Sequence, residues 1–148
     1  MFQNILRTYD QYLTPSRRDL LRDLGLLLFR VSFGLMMALG HGLGKVQKII
    51  DGNIQFADPL GIGVYPSLLL AGGAEFFCSL AIAAGLLTRL SAIPGFITMA
   101  VAALVVHGSD PFSNKEKALV YMFFYAVVFL SGPGKISADY FIRKKVLS

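Results

Sequence analysis

The sequence contains little charge and almost no cysteine. Only 16% of its 148 residues are charged, whereas 55% are hydrophobic, a balance well outside the usual soluble globular mix. Cys78 is the single cysteine, which excludes an internal disulfide and a CxxC redox pair. No dense group of His, Cys or carboxylate residues has metal-ligand spacing, and neither a nucleophilic triad nor a complete phosphate-binding loop occurs. We therefore expect a membrane protein with no intrinsic metal site, and its catalytic residues stay unassigned.

Long apolar blocks dominate the rest of the chain. Four of them come close to the roughly 20 residues that a bilayer-spanning helix needs: 24–43, 66–87, 90–107 and 117–131. The fold class that we expect is all-α, an integral membrane antiparallel four-helix bundle forming a single domain over 1–148. Segment 1–23 has apolar residues at helical spacing and predicts a short N-terminal interfacial helix, and 132–148 predicts a basic interfacial tail. A soluble fold would leave these helices without a polar face for water to wet.

Lys and Arg are distributed unevenly between the two faces of this predicted bundle. One face combines the N-terminal segment, the link between the second and third spans, and the tail: Arg7, Arg17, Arg18, Arg22, Arg89, Lys135, Arg143, Lys144 and Lys145. The other face has only Lys45, Lys48, Lys115 and Lys117. The positive-inside rule then places both termini in the cytoplasm. This topology, with anionic lipid as the partner, accounts for the net charge of +5 without nucleic acid.

Several polar residues interrupt the apolar blocks. Arg30, Gly34, His41 and Lys45 follow one stripe of the first predicted helix, and Glu75 lies within the second. Counting about 1.5 Å per residue from the predicted helix ends places Arg30 and Glu75 within about 8 to 10 Å along the membrane normal. Because a lone charge at mid-bilayer is costly, we expect them to form an ion pair. The pair either only sets the helix register or lines a cavity that handles a ligand or a proton.

The other candidate residues are aromatic or lie near helix ends. Tyr121 and Tyr125 are one turn apart in the fourth predicted helix, where their hydroxyls need polar partners. His41 and His107 end the first and third spans at the same outer level. Three interpretations stay open for them: axial ligation of a haem b, which is the least favoured, hydrogen bonding to a ligand, or ordinary interfacial histidines.

The longest connection, 44–65, joins the first two spans and is too apolar for a free loop. We expect it to fold back over the mouth of the bundle. An ordinary packed loop is favoured over a lid that covers a substrate.

Two stretches, LFRVSFGLMMALGHGLGKV and GGAEFFCSLAIAAGLLTRLSAI, resemble the DoxX family of small four-helix membrane proteins. The matching positions are Arg30, Gly34, His41, Gly42 and Lys45 in its first-helix pattern, Glu75 as its second-helix acid, and Gly85, Thr88 and Arg89 in the turn that follows. The resemblance covers about residues 24–128. The N-terminal helix is less typical of the family, and no function is carried onto it.

The resemblance implies a bacterial inner-membrane protein whose polar interior binds quinone. Members of the family are similar to membrane subunits of quinone-linked redox systems, including a component of thiosulfate:quinone oxidoreductase, and others are tied to quinone or thiol stress. A quinone carbonyl would accept a hydrogen bond from Arg30, His41 or Tyr125, and Glu75 would supply a proton. The expected function is an accessory or quinone-docking subunit of a membrane oxidoreductase, with the electrons supplied by a partner.

Two functions of other classes stay open. Glu75 and Arg30 could gate a small-molecule or proton-coupled transporter, or the chain could be a structural assembly subunit of a membrane complex. The partners that we expect are lipid together with other membrane or redox subunits, or a second copy of the chain.

Overall fold

The computed structural model describes residues 15–146, and the interfacial helix predicted near the N-terminus lies largely outside them. Within this part of the chain the fold is all-α, with no strand. The first helical unit consists of α1 (Pro15–Met37), a π-helical turn π1 (Ala38–Gly42) and α2 (Leu43–Ile50). The second consists of α3 (Val64–Gly72), π2 (Gly73–Cys78) and α4 (Ser79–Ala84). The third consists of α5 (Thr88–Val101) and π3 (Ala102–Val106), the fourth is α6 (Phe112–Ser131), and a short α7 (Ala138–Val146) follows.

Three of these units are long and apolar enough to cross a membrane: Ser16–Ile50, Val64–Ala84 and Thr88–Val106. The fourth unit, α6, has 20 residues, but Lys115, Glu116 and Lys117 near its start shorten its apolar run. The prediction of an all-α fold is confirmed for the described residues. The fourth span stays a prediction.

The first helix is much longer than the predicted span 24–43, because it continues on both sides of the apolar block. Hydropathy marks the part of a helix that suits lipid, whereas the helix itself lasts as long as its backbone hydrogen bonds continue. At the start of α6, Ser113 is already inside the helix, which follows Pro111 without a side-chain cap.

The first two units pack antiparallel at close range. α1 contacts α4, π1 contacts π2, and α2 contacts α3, so the order of contacts reverses along the second unit. A Cβ added at Gly34 would lie 2.8 Å from the Ser79 carbonyl oxygen, and one added at Gly42 would lie 2.6 Å from the Glu75 carbonyl carbon. Small residues let helix backbones approach this closely, so these two glycines determine the register of the pair.

A compact apolar core lies between the four units. Its buried members are Met37, Ile82, Ala92, Met99, Tyr121, Phe124, Tyr125 and Val128. The Phe33 ring stacks on that of Phe124 at a centroid distance of 5.4 Å. Large apolar side chains on the outside, such as Leu28, Leu70, Leu104 and Leu130, are exposed, as expected for helices that face lipid.

A tight turn of three residues joins the second and third units. Gly85 ends α4 in the left-handed region at φ +72°. Thr88, however, does not cap α5 with its side chain, because its hydroxyl is buried without a hydrogen-bond partner. The Asp139 carboxylate instead accepts hydrogen bonds from the backbone N–H groups of Leu87 at 2.7 Å and Thr88 at 2.9 Å. The cap therefore comes from the start of α7, more than 50 residues along the chain.

Candidate functional site

Glu75 pairs with Lys45 in the half of the bundle that lies away from α7. The Lys45 Nζ lies 2.6 Å from the Glu75 Oε2, and Glu75 is only 4% exposed. The same ammonium lies 3.5 Å from the His41 carbonyl oxygen and 5.9 Å from the centre of the Phe56 ring. A buried carboxylate at this depth needs such a partner, since a lone charge within a bilayer costs at least about 2.5 kcal/mol.

The π-helical turns place these residues. Glu75 lies in π2, His41 in π1, and Lys45 in the first turn of α2. The close contact of Gly42 with the Glu75 backbone brings the two helices together at this level. Turns of this kind interrupt the regular α-helical hydrogen bonding and occur frequently at functional sites.

An apolar cavity of about 300 Å³ opens on one side of the pair. Phe56 and Leu60 of the long connection cover it, while Leu70 of α3 and Ile97 of α5, both exposed, line its other side. The prediction that this connection folds back over the bundle is therefore confirmed. Asp58 holds the fold of the connection, because its carboxylate accepts hydrogen bonds from the N–H groups of Ile62 and Gly63 and from the Ser67 hydroxyl.

A polar cavity of about 240 Å³ opens on the other side of the pair. The residues that line this cavity and not the apolar one are Met37, His41, Met99, Asn114, Lys117, Ala118 and Tyr121. Four residues line both cavities: Lys45, Glu75, Ala102 and His107. The ion pair therefore lies where an apolar space and a polar space meet.

Both candidate histidines border this site. The His41 ring packs edge-on against Tyr121 at a centroid distance of 5.6 Å. His107 Nδ1 lies 2.9 Å from the Asp110 Oδ2, and this hydrogen bond lowers the pKa of the Asp110 carboxyl below its ordinary value, with a smaller contribution from Asn114. Each imidazole thus has a protein neighbour on one side and the cavity on the other.

Arg30 does not pair with Glu75, so the predicted ion pair is wrong. Its guanidinium donates hydrogen bonds to the carbonyl oxygens of Ile82 at 3.2 Å and Ala83 at 2.9 Å, and to that of Ile136. Glu75 lies level with Gly42, which is 12 residues or about 18 Å along the helix from Arg30. Counting from hydropathy boundaries placed the two helices in the wrong register. Arg30 instead compensates the carbonyl end of α4, where a cation is favoured.

The other two candidate residues also lie away from the ion pair. Arg89 is exposed at the opposite end of the bundle, where it donates a hydrogen bond to the Leu130 carbonyl oxygen at 3.3 Å. Tyr125 is fully buried, and its hydroxyl lies 2.7 Å from the Ser79 Oγ. The predicted polar partner for this hydroxyl is therefore present, but it is another residue of the bundle interior.

Comparison with models of protein families identifies the family of this chain. The model of the DoxX family matches residues 25–108, which is more than half of the sequence. The chain belongs to the DoxX family. A search of curated proteins and a search of solved structures found no match.

The DoxX match extends over the first three helical units and contains Lys45, Glu75 and His107. It ends before α6, so the DoxX pattern does not include Lys117 or Tyr121 of the polar cavity. Family membership and three helices of sufficient length make this a membrane protein. No group of three or more His, Cys, Asp or Glu residues that could hold a metal ion occurs within 15–146.

Three residues of the cavity lining and of the turn after Gly85 in this DoxX protein were not predicted from the sequence. Asn114 and Lys117 precede Tyr121 by seven and four residues, which places all three on one stripe of α6, so helical spacing could have identified them. Asp139 had no such signal. Its role as a cap depends on the return of α7 to the turn after Gly85.

Proposed function

We propose that this DoxX protein is a quinone-docking subunit of a redox system in the bacterial inner membrane. The observation that supports the proposal best is the Lys45 and Glu75 pair at the boundary between the apolar and polar cavities. A quinone ring needs an apolar space, a donor for its carbonyl oxygen and a group that exchanges protons. The apolar cavity, the Lys45 ammonium and the Glu75 carboxylate would supply these in one place.

A quinone would enter the apolar cavity sideways from lipid. Leu70 and Ile97 line the membrane side of the cavity, and both are more than half exposed. These side chains could move apart to admit an apolar ring while its tail stays in the bilayer. In this pose the Lys45 Nζ donates a hydrogen bond to the ring carbonyl, which competes with the Glu75 carboxylate for this donor. Glu75 is then available to accept or donate a proton.

The proposal includes four spans with both termini in the cytoplasm. α6 would be the fourth span, because it packs against both α5 and π3 of the third unit. The end of the bundle with Arg89 and with Arg143, Lys144 and Lys145 of α7 carries most of the positive charge, and the positive-inside rule favours this end as cytoplasmic. The ion pair would then lie toward the outer face.

Electron transfer would involve a partner subunit. The proposed quinone site supplies binding and proton exchange, whereas the electrons come from or go to a second protein. α6 offers a surface for such a partner or for a second copy, since Phe123, Phe129 and Leu130 are exposed on it. Bundle association through apolar faces and small residues is common in membranes.

The test is the quinone content of the purified protein. The protein would be isolated from native membranes, and bound quinone would be extracted and quantified by mass spectrometry. We expect near-stoichiometric quinone in the wild type and at least about tenfold less in Glu75→Gln, a loss that corresponds to about 1.4 kcal/mol. Glu116→Gln is the matched control, because Glu116 is exposed on α6 away from both cavities. Equal quinone in Glu75→Gln and wild type would contradict the proposal.

Transport is the second candidate, and the meeting of two cavities at one ion pair favours it. A transporter would open each cavity in turn while Lys45 and Glu75 separate. Reconstitution into liposomes would show flux that Glu75→Gln abolishes. If quinone and flux are both absent and only the recovery of a partner changes, a structural assembly role remains.

A further inference from the structure

The polar cavity leads from Glu75 toward the end of the bundle at which α2 ends and α6 begins. His41, Asn114 and Lys117 line this cavity, and all three are exposed. Ile50 and Phe112 lie at the same end, far from α1's start and from α7. The ionisable and amide side chains of this lining offer hydrogen-bond partners to water, beside apolar members such as Met37 and Met99. These polar side chains line a route from Glu75 toward the surface at this end.

In the opposite direction from Glu75 the interior side chains of the second helical unit are buried, and the cavity of about 330 Å³ beside Tyr125 has an apolar lining. One turn along, the Ser79 hydroxyl is bonded to that of Tyr125, and neither residue is exposed. Ile82 lies seven residues from Glu75, about 10 Å along the helix, and is also fully buried. Beyond the Ile82 side chain, the Arg30 guanidinium donates hydrogen bonds to the carbonyl oxygens of Ile82 and Ala83. The Ser79 and Tyr125 hydroxyls thus bond to each other, whereas the Arg30 Nε and the Thr88 hydroxyl are buried without a hydrogen-bond partner.

We infer that water reaches Glu75 from one side of the membrane only, the side opposite to α7, through the polar cavity. The cationic and titratable groups that line this route with Glu75 are Lys45, His41, His107, Lys117 and Tyr121. The direction from which water reaches Glu75 is inferred from the packing around Glu75 and does not depend on the proposed function. The path of a proton does rest on the proposed function: a proton exchanged during quinone chemistry would pass to the side opposite to α7, while the quinone arrives from lipid by the apolar cavity.

Single cysteines provide the test, because replacing the only cysteine in Cys78→Ser removes the background. Ala118→Cys introduces a thiol into the lining of the polar cavity, and Ala102→Cys introduces one beside Glu75. Ser79→Cys is the matched control in the packed region, and Lys144→Cys on exposed α7 reports the opposite side. Each variant would be treated with a membrane-impermeant charged thiosulfonate, added to sealed vesicles of either orientation. Labelling after denaturation would confirm that every thiol is reactive.

The expected result is labelling of Ala118→Cys and Ala102→Cys only from the side from which Lys144→Cys is not labelled, with Ser79→Cys unlabelled from both. Labelling of Ala118→Cys from the α7 side, from both sides or from neither would overturn the inference. Labelling of Ser79→Cys in the folded protein would do the same. Since the assay needs no quinone, one-sided labelling without bound quinone would disprove the proposed function and leave the access route intact.

Discussion

Glu75 accepts a hydrogen bond of 2.6 Å from Lys45, and the two residues join the first two helical units where both cavities meet. The Lys45 side chain is 20% exposed and that of Glu75 only 5%, so the carboxylate depends more on its partner than the ammonium does. Removing one member of such a pair leaves the other charge uncompensated. The interaction energy of Lys45 and Glu75 can therefore be measured by replacing each residue alone and both together.

A double-mutant cycle should show strong coupling between Lys45 and Glu75. We expect Lys45→Met alone to lower the free energy of unfolding in detergent micelles by about 3 kcal/mol, because it leaves the buried Glu75 carboxylate without its cationic partner. Glu75→Gln should cost less, since the partly exposed ammonium can reach water. The double variant should recover most of the loss. Additive single effects in denaturant titrations would show that the two side chains do not interact in the membrane protein.

Gly42→Ala should separate the first two helical units at the level of the site. The added methyl carbon would lie 2.6 Å from the Glu75 carbonyl carbon, and backbone atoms cannot yield to it as a flexible side chain would. We expect a loss of about 2 kcal/mol in unfolding free energy, within the usual cost of overpacking. Gly44→Ala is the matched control, because a Cβ there meets nothing within 4 Å. Equal melting temperatures of the two variants would contradict the helix contact.

The four helical units could be predicted from sequence because apolar runs and turn residues act locally. The position of one helix beside another could not. It depends on tertiary contacts, chiefly Gly34 against Ser79 and Gly42 against Glu75, whereas hydropathy gave only the length that suits lipid. An error in the relative position of the two helices led to the prediction that Arg30 pairs with Glu75. The correct partner, Lys45, lies on the same predicted stripe of the first helix as Arg30.

The residues around the site also divide into those that the sequence predicted and those that depend on tertiary contacts. Lys45, His41, His107 and Tyr121 were identified because polar side chains in apolar blocks are costly and therefore conspicuous. A cavity beside a buried polar pair was one of the two interpretations, but the walls of the apolar cavity were not predicted, since they are ordinary apolar residues such as Leu70 and Ile97 brought together by folding. A cavity leaves no pattern in the sequence of its lining.

Arg30→Lys should loosen the segment before α7 while keeping the charge. The guanidinium bonds to carbonyl oxygens of Ile82 and Ala83 and also to that of Ile136, and a single ammonium cannot reproduce this fork. We expect backbone hydrogen exchange at 134–146 to become at least about tenfold faster, equivalent to about 1.4 kcal/mol. Arg89→Lys is the control, because exposed Arg89 has a single carbonyl bond at 3.3 Å. Unchanged exchange in Arg30→Lys would show that α7 is held by other contacts.

The loop between the third helical unit and α6 should lose order in acid. His107 bonds to Asp110 and lowers the pKa of that carboxyl. A carboxyl with a pKa lower in the folded than in the unfolded state stabilises the fold above its ordinary pKa, and this contribution is lost as the pH falls through the lowered value. Hydrogen exchange at 107–111 should therefore accelerate below about pH 4. Asp110→Asn removes the titrating group, so its loop should exchange at a rate that shows no such step. If the step persists in Asp110→Asn, another group controls the loop and the bond between His107 and Asp110 does not stabilise it.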